Sequence, residues 1–262
     1  MPQVTYHTCD ALREIPGVMH GFFERSGGIS EGPFNSLNAA RGGGDSDENV
    51  LENRRRAMQA LGCQAAPLVF AKQEHATQVH VVDEPWAFHA PPVGDGLVTA
   101  QPHIALGVLT ADCGPVLLAD PACGVIGACH AGWRGALGGV IEQTVTQMEG
   151  LGAQPQSMIA CLGPCIHQDF YEVDATFYKE VKEKNASFSI YFKKGNRTDH
   201  FLFDLPSFIL GRLKALNINR ITQILQDTYS GNFFSRRRSY HQQQDQYGCG
   251  LSVIVINSPK IV

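Results

Sequence analysis

Residues 104–135 read IALGVLTADCGPVLLADPACGVIGACHAGWRG, and this stretch decides the fold class. Its three apolar runs, Ile104–Thr110, Val116–Leu118 and Gly124–Cys129, are each too short for an ordinary globular helix. Gly, Pro and Asp bound them, so they read as short, largely buried strands. Gly135 to Glu149 then reads as a helix following directly on the last run. Toward the N-terminus, Leu68–Phe70, Val79–Val82 and Leu97–Thr99 read as further strands, with Pro85 to Gly96 a Pro- and Gly-rich loop between them. Gly42, Gly43 and Gly44 precede Asp45, Ser46 and Asp47, which lead into Glu48–Leu61; there Val50, Ala57, Met58 and Leu61 suit one face of a capped helix. Toward the C-terminus, Met158–Leu162 reads as a strand, and Ile221–Leu225 and Leu251–Ile256 as strands closing the sheet system. Tyr171–Lys184 reads as a helix with Glu and Lys outward. Asp204 with Pro206 opens another helix through Leu216. Strands and helices interleave without a strict βαβ rhythm, which predicts a single α+β domain over residues 1–262 with mixed sheets.

Composition agrees and excludes several classes. The 262 residues are 44% hydrophobic and 18% charged, which excludes disorder, collagen and coiled coil. A net charge of -4 gives no footprint for nucleic acid or an anionic membrane. The N-terminus lacks a basic segment followed by an apolar one, so no secretory signal is expected. The best candidate for a membrane span, Ile104 to Ala119, is interrupted by Asp112 and Pro115. A soluble, cytoplasmic, reducing setting is the expectation. In it, the eight cysteines serve as thiols, metal ligands or core residues rather than bridges. No GxGxxG follows a strand and no Gly-rich GK[ST] loop occurs, so neither common nucleotide signature is present.

The chemistry concentrates at two strand ends. Cys113 stands where one apolar strand stops at a Gly-Pro turn, and His130 where the next stops before a helix. Adjacent strand ends can join a thiolate and an imidazole across 17 positions, as metal ligands or as nucleophile and base. Alone, Cys113 reads as a buried thiol and His130 as a helix-start histidine; paired in a glycine-rich setting they read as functional. A third ligand is expected from the segment Lys72 to His80. His75 at its entry turn and His80 inside its β-branched run compete, and spacing does not choose between them. A His, Cys, His trio would leave one zinc position open. Gly132, Arg134 and Gly135 form a helix entry suited to phosphate or to a structural ion pair. Gly163 to His167 reads as a turn after a strand, with Cys165 buried. Arg236, Arg237 and Arg238 after Phe233 and Phe234 suit phosphate or single-stranded nucleic acid, but on an acidic chain they read better as a solvated face or as intramolecular pairs. Gln242 to Gln244 reads as loop.

With these residues the chain resembles the laccase-domain family, also called the multicopper polyphenol oxidoreductase or purine nucleoside phosphorylase family. The resemblance runs along nearly the whole chain. It includes Arg25-Ser26-Gly27-Gly28, Ser36-Leu37-Asn38, Glu52-Asn53-Arg54, Gln73-Glu74-His75, Thr110 to Cys113, His130 to Gly135, Leu162 to Pro164, Tyr171 to Val173 and Phe233 to Ser235. The family pattern of metal ligands falls on His75, Cys113 and His130, which selects His75 over His80. The resemblance implies an α/β sandwich with mixed sheets, distantly like a Cys/His deamidase toxin. It also implies a zinc-dependent purine nucleoside phosphorylase that acts on adenosine, inosine, guanosine and methylthioadenosine, with adenosine deaminase activity. Its partners would be nucleosides and phosphate, not nucleic acid or membrane. His167 stands where the family usually has Gly, Arg236 where it has an aromatic, Cys249 where it has Arg, and Ala76 where Gly is common.

Deamination needs an activated water at C6 of adenine and an acid for the leaving amine, for which Asp112 and Glu74 stand nearest in sequence. Phosphorolysis needs contacts to phosphate, for which Arg25 and Arg134 are the candidates; Asn38 is a further substrate-binding candidate from the resemblance. Three other readings compete. The first is a metal-free thiol hydrolase or amidase with Cys113 as nucleophile and His130 as base, connected with editing of cell-wall precursors. The second is a copper-dependent polyphenol oxidase, for which no His-x-His pair is present. The third is a non-enzymatic metal-binding protein.

Overall fold

The computed structural model describes residues 3–257, and within them the chain forms a layered α/β sandwich. In chain order the strands are β1 (Tyr6–His7), β2 (Val18–Phe23), β3 (Leu68–Val69), β4 (Val79–Val81), β5 (Gly96–Thr99), β6 (Ala105–Thr110), β7 (Gly114–Asp120) and β8 (Val125–Ala131). They continue with β9 (Ile159–Leu162), β10 (Glu172–Asp174), β11 (Phe192–Lys194), β12 (His200–Phe203), β13 (Arg220–Gln223) and β14 (Gly250–Ile256). The helices are α1 (Asp10–Arg13), α2 (Asp47–Leu61), α3 (Trp133–Gly138), α4 (Val140–Gly150), α5 (Ala175–Lys184), α6 (Leu205–Ala215) and α7 (Arg236–His241). A five-stranded sheet has the order β1-β2-β14-β6-β3, and a six-stranded sheet the order β13-β9-β7-β8-β5-β4. A small third sheet, β10-β12-β11, stands beside them. The sheets are mixed: β3–β6, β4–β5 and β9–β13 pair in parallel and the other pairs are antiparallel.

Side-chain alternation explains the layers. On β6, Leu106 and Val108 point into one apolar cluster, while Ala105 points into another on the opposite face. On β7, Leu117 and Ala119 face the five-stranded sheet, and Val116 and Leu118 face α4 and α6. On β8, Ile126 and Ala128 alternate in the same way with Val125, Cys129 and Ala131. Strands covered on both faces show continuous apolar runs instead of alternation, which is why residues 104–131 read so clearly. The α2 helix covers the outer face of the five-stranded sheet through Ala57, Met58 and Leu61. Its N-cap is Ser46, whose hydroxyl accepts from Asn49 N–H at 3.1 Å, with Asp47 and Glu48 in the first turn. Gly62 ends it in the left-handed region at φ +78°.

Several elements differ from the sequence expectation. Gly139, at φ +108°, breaks the helix expected over Gly135–Glu149 into α3 and α4, so the chain turns there before α4 lies across β8 and β5. The helix expected from Tyr171 begins only at Ala175. Residues 172–174 instead pair with β12, and Asp174 caps α5 by accepting from Phe177 N–H at 2.8 Å. The final strand, expected to close the sheets, lies at the centre of the five-stranded sheet between β2 and β6. Its partner β2 was not foreseen, because His20 interrupts an otherwise apolar run. That histidine is buried and neutral: it accepts Cys9 N–H at 2.8 Å, and burial, followed by the charge of Arg13, pushes its pKa down to about 4. No helix among the described residues is long and apolar enough to cross a membrane.

Candidate metal centre

The pairing of β7 with β8 assembles the site. Pro115 lies opposite His130 and Gly114 opposite Ala131, so Cys113 and His130 meet at one end of this strand pair. By alternation both project to the side where Leu117, Ile126 and Ala128 meet the other sheet, at the rim of that layer. The third member, His75, comes from the connection between β3 and β4. The three candidate ligand atoms lie within 4.8 Å of one another. Cys113 Sγ is 3.8 Å from His75 Nε2, and the two imidazole rings stand 4.7 Å apart and 72° inclined. Two tetrahedral zinc ligands, one sulfur and one nitrogen, stand about 3.6 Å apart, so this spacing suits such an ion. His80 lies outside the cluster, on edge strand β4, with Nε2 2.7 Å from Val93 O.

Asp95 holds the arrangement together, and the sequence reading missed it. Its carboxylate accepts the backbone N–H groups of Glu74, His75 and Ala76 at 3.0, 3.0 and 2.8 Å. Those bonds fix the turn in which His75 adopts φ +59°, a conformation uncommon for a residue with a side chain. Asp95 Oδ1 also lies 2.7 Å from His130 Nδ1, which leaves Nε2 as the ligand atom. Asp95 itself is 2% exposed and stands between Gly94 and Gly96. A Cβ on either glycine would come within 2.8 Å of His80 or Val79 side chains. A lone acid between two glycines ahead of a strand was the available signal.

The electrostatics favour a ligating thiolate. Burial alone would raise the Cys113 pKa, but the charge and hydrogen bond of His130, then those of His75, bring it down to about 6. Burial depresses His130, yet the Cys113 thiolate and then Asp95 lift it to about 9. Cys129 and Cys249 are pushed up to about 12 by burial, so they remain protonated thiols. Gly132 leaves the space that the cluster occupies: a Cβ there would stand 2.9 Å from both Cys113 Sγ and His75 Cδ2. Gly132→Ala is therefore expected to weaken metal affinity about tenfold or more, by forcing apart candidate ligands that must stay within a few tenths of an ångström. Competitive chelator titration of the folded variant measures this, and an unchanged affinity would contradict it.

The other expected site residues stand outside the cleft lining. Asp112, at φ +93°, is buried; it accepts Thr228 Oγ1–H and Arg237 N–H, both at 2.7 Å, while its carbonyl accepts Ile166 N–H. Burial raises its pKa despite those bonds. It does not line the cleft, and its bonds fix the turn that sets Cys113. Glu74 pairs with Lys72 at 2.6 Å and also stays out of the cleft lining. Arg25 donates to Asn35 O at 2.7 Å and lies over the Phe234 ring, and Arg134 is exposed over Trp133. Asn38 donates to Ala40 O and Asp45, and accepts Ala40 and Cys249 N–H. None of these three lines the cleft. Together with Ser30 and Asn53, Asn38 and Asp45 form one buried polar network that holds the loop around Arg41. His167 N–H donates to Asp227, and its Nε2 is buried without a partner.

His75, Cys113 and His130 open into a cleft of about 950 Å³. Its apolar walls come from Phe70, Trp86 and Phe88. The loop 83–93 is secured by Trp86 Nε1–H donating to Phe70 O at 2.7 Å and by Arg41 donating to Phe88 O at 3.2 Å. Arg54 is half-buried, which brings its pKa down to about 10, and it lies 4.0 Å over Phe70. Arg236 and Cys249, the two C-terminal departures from the family pattern, line this same cleft together with Tyr247. Arg237 and Arg238 do not; Arg238 donates to the carbonyls of Thr228, Tyr229, Gly231 and Phe233 and fixes that turn.

The sequence profile of the multi-copper polyphenol oxidoreductase laccase family matches residues 19–257. The chain belongs to this family. Among its relatives, a purine nucleoside phosphorylase of Rickettsia conorii is 35% identical over 212 residues, covering 80% of this chain and 86% of the relative. One of Streptomyces griseus is 44% identical over 169 residues, covering 64% and 69%. Among solved structures, a Neisseria meningitidis protein superposes with a TM-score of 0.84 at 30% identity, covering 98% of this chain and all of that one. YlmD from Geobacillus stearothermophilus gives 0.82 at 26%, covering 93% of each. Both solved structures share the sandwich described above.

Proposed function

We propose that the chain is a zinc-dependent purine nucleoside phosphorylase with adenosine deaminase activity, taking adenosine, inosine, guanosine and methylthioadenosine. The observation that carries this reading is the His75, Cys113 and His130 cluster at an aromatic-walled cleft, in a chain similar to relatives named purine nucleoside phosphorylase. The donor set fits zinc: two imidazoles and a thiolate leave a fourth position toward the cleft. When bound, the ion supplies Lewis-acid polarisation and a local positive charge. Among the described residues, this is the one group of three or more His, Cys, Asp or Glu side chains suited to a metal. That favours a single-metal enzyme over copper-dependent polyphenol oxidation, which relies on several coppers.

In phosphorolysis a phosphate oxygen forms a bond to C1′ as the C1′–N9 bond breaks, and the electron pair leaves on the purine. A proton then reaches the purine nitrogen. Phe70, Trp86 and Phe88 offer apolar surface for the base, and the cleft cations offset phosphate charge. Asp95 keeps His130 oriented throughout. A second reading has its own observation: Cys113, His130 and Asp95 form a nucleophile, base and orienting acid, which suits a thiol hydrolase or amidase. One assay separates the readings. Adenosine with phosphate should yield free adenine and ribose 1-phosphate at a rate that rises with phosphate, and ammonia at a rate that does not. Absence of phosphate-dependent adenine release would refute the phosphorylase reading.

A further inference from the structure

The four cations that line the cleft differ in what they already hold. Arg41 makes a two-point ion pair with Asp47, at 2.9 and 2.7 Å. Lys72 pairs with Glu74 at 2.6 Å. Arg54 gives Nε and Nη2 to the carbonyl of Ala39 and lies against Phe70. Arg236 is exposed to the same cleft and has no hydrogen bond or ion pair among the described residues. The Tyr247 hydroxyl, also in the lining, has no hydrogen-bond partner either. Arg236 and Tyr247 line the same cleft, burial raises the Tyr247 pKa, and the charge of Arg236 is the first influence opposing that rise. The acids of the lining are occupied. Asp47 is taken by Arg41, and Asp45 by Ser30, Asn38, Asn49 and Ser46. The cleft lining therefore offers a guanidinium fork and a phenol without partners among the described residues, and no unpaired carboxylate of its own. That combination suits a tetrahedral oxyanion, since a guanidinium matches two phosphate oxygens and a phenol donates to a third.

We propose that Arg236 and the Tyr247 hydroxyl bind the phosphate co-substrate in this cleft. The inference rests on the phosphorylase reading above and replaces Arg25 and Arg134, which point elsewhere. Arg236 offsets the charge of the attacking phosphate, and the Tyr247 O–H donates to one of its oxygens. One phosphate oxygen forms the bond to C1′, the electron pair of the C1′–N9 bond goes to the purine, and the proton of dihydrogen phosphate balances the released base. The same chemistry would hold the 5′-phosphate of a nucleoside monophosphate, so the test carries an arm for each source.

The experiment compares wild type, Arg236→Gln, Arg236→Lys and Tyr247→Phe. It measures inosine phosphorolysis against phosphate concentration, together with calorimetric titration of inorganic phosphate and, separately, of AMP. Arg236→Gln should raise the KM for phosphate and the calorimetric Kd about tenfold or more, as expected for a lost charge-assisted contact. The KM for inosine should change less than about twofold. Arg236→Lys keeps the charge but not the two-point fork, so it should recover only part of the phosphate affinity, and Tyr247→Phe should lose less than Arg236→Gln. If wild type phosphorolyses inosine and Arg236→Gln leaves phosphate KM and Kd unchanged, the inference is overturned while the phosphorylase reading stands. If Arg236→Gln loses AMP binding but keeps inorganic phosphate binding, the co-substrate role is overturned in favour of the nucleotide 5′-phosphate. If wild type releases no base with phosphate, the phosphorylase reading falls; phosphate binding that still depends on Arg236 then supports the anion site by itself.

Discussion

Cys113→Ala is expected to yield a folded protein that loses its zinc on desalting and, with it, at least about a hundredfold in kcat/KM. The thiolate is the charged member of the trio, and each ligand of a zinc site contributes roughly 3 kcal/mol of affinity, so its loss costs two orders of magnitude or more. The fold should survive, because Cys113 lies outside the three apolar clusters and no strand bond depends on its side chain. Metal analysis of the desalted variant, with circular dichroism as the control for folding, measures both halves. The metal-free wild type gives a companion result. Because the thiolate is the reactive form and the Cys113 pKa is brought down to about 6, alkylation by iodoacetamide should rise with pH through about 6 and level off above it. Cys129 and Cys249, held near 12, should stay unmodified at pH 7, and added zinc should protect Cys113. A Cys113→Ala protein that retains stoichiometric zinc would contradict the ligand assignment.

Asp95→Asn is the second large effect, because one carboxylate serves four donors. Its oxygens accept three backbone N–H groups around His75 and the ring N–H of His130. Asparagine offers a single accepting oxygen and turns an N–H₂ toward donors, so at least two of these N–H groups, the backbone ones part-buried, lose their partner. Unsatisfied buried groups cost roughly 1–3 kcal/mol each, and loss of a partner that orients a ligating histidine costs about 10–100-fold in metal affinity. The expected outcome is a stability loss of about 2–4 kcal/mol together with that drop in zinc affinity. Urea unfolding with and without zinc measures the two separately, since the gap between the curves reports the metal term. A variant that loses stability but binds zinc like wild type would show Asp95 to be a loop anchor only.

The contrast between Cys113 and Asp95 marks how far the sequence was legible. Residues 104–131 read correctly as strands because each is covered on both faces, so local composition carried the tertiary fact. Cys113 and His130 were legible for a related reason: strand ends next to glycine are where side chains can converge. Asp95 was not, because its role comes from four partners, three of them about 20 residues upstream and the fourth 35 residues downstream. The break at Gly139 was hidden by good helix formers on both sides, and the strand of Val18–Phe23 by a histidine that burial and the charge of Arg13 keep neutral. Arg25, Asn38 and Arg134 were drawn in by motif membership. In the fold, Asn38 joins the buried network that shapes the cleft wall, Arg25 braces Asn35 and Phe234, and Arg134 lies on Trp133. The aromatic wall of Phe70, Trp86 and Phe88 could not be read in advance, since two of its members lie in a loop whose path is set by Arg41 and by the Phe70 carbonyl.

The His75, Cys113 and His130 cluster is expected to hold one zinc ion needed for phosphate-dependent cleavage of purine nucleosides. The most direct measurement follows free-base release from inosine with phosphate, on one preparation, as purified, after chelation, and after return of zinc. About one zinc per chain, activity lost on chelation and activity restored by zinc are the results predicted. A metal-free preparation that keeps full activity would contradict the claim.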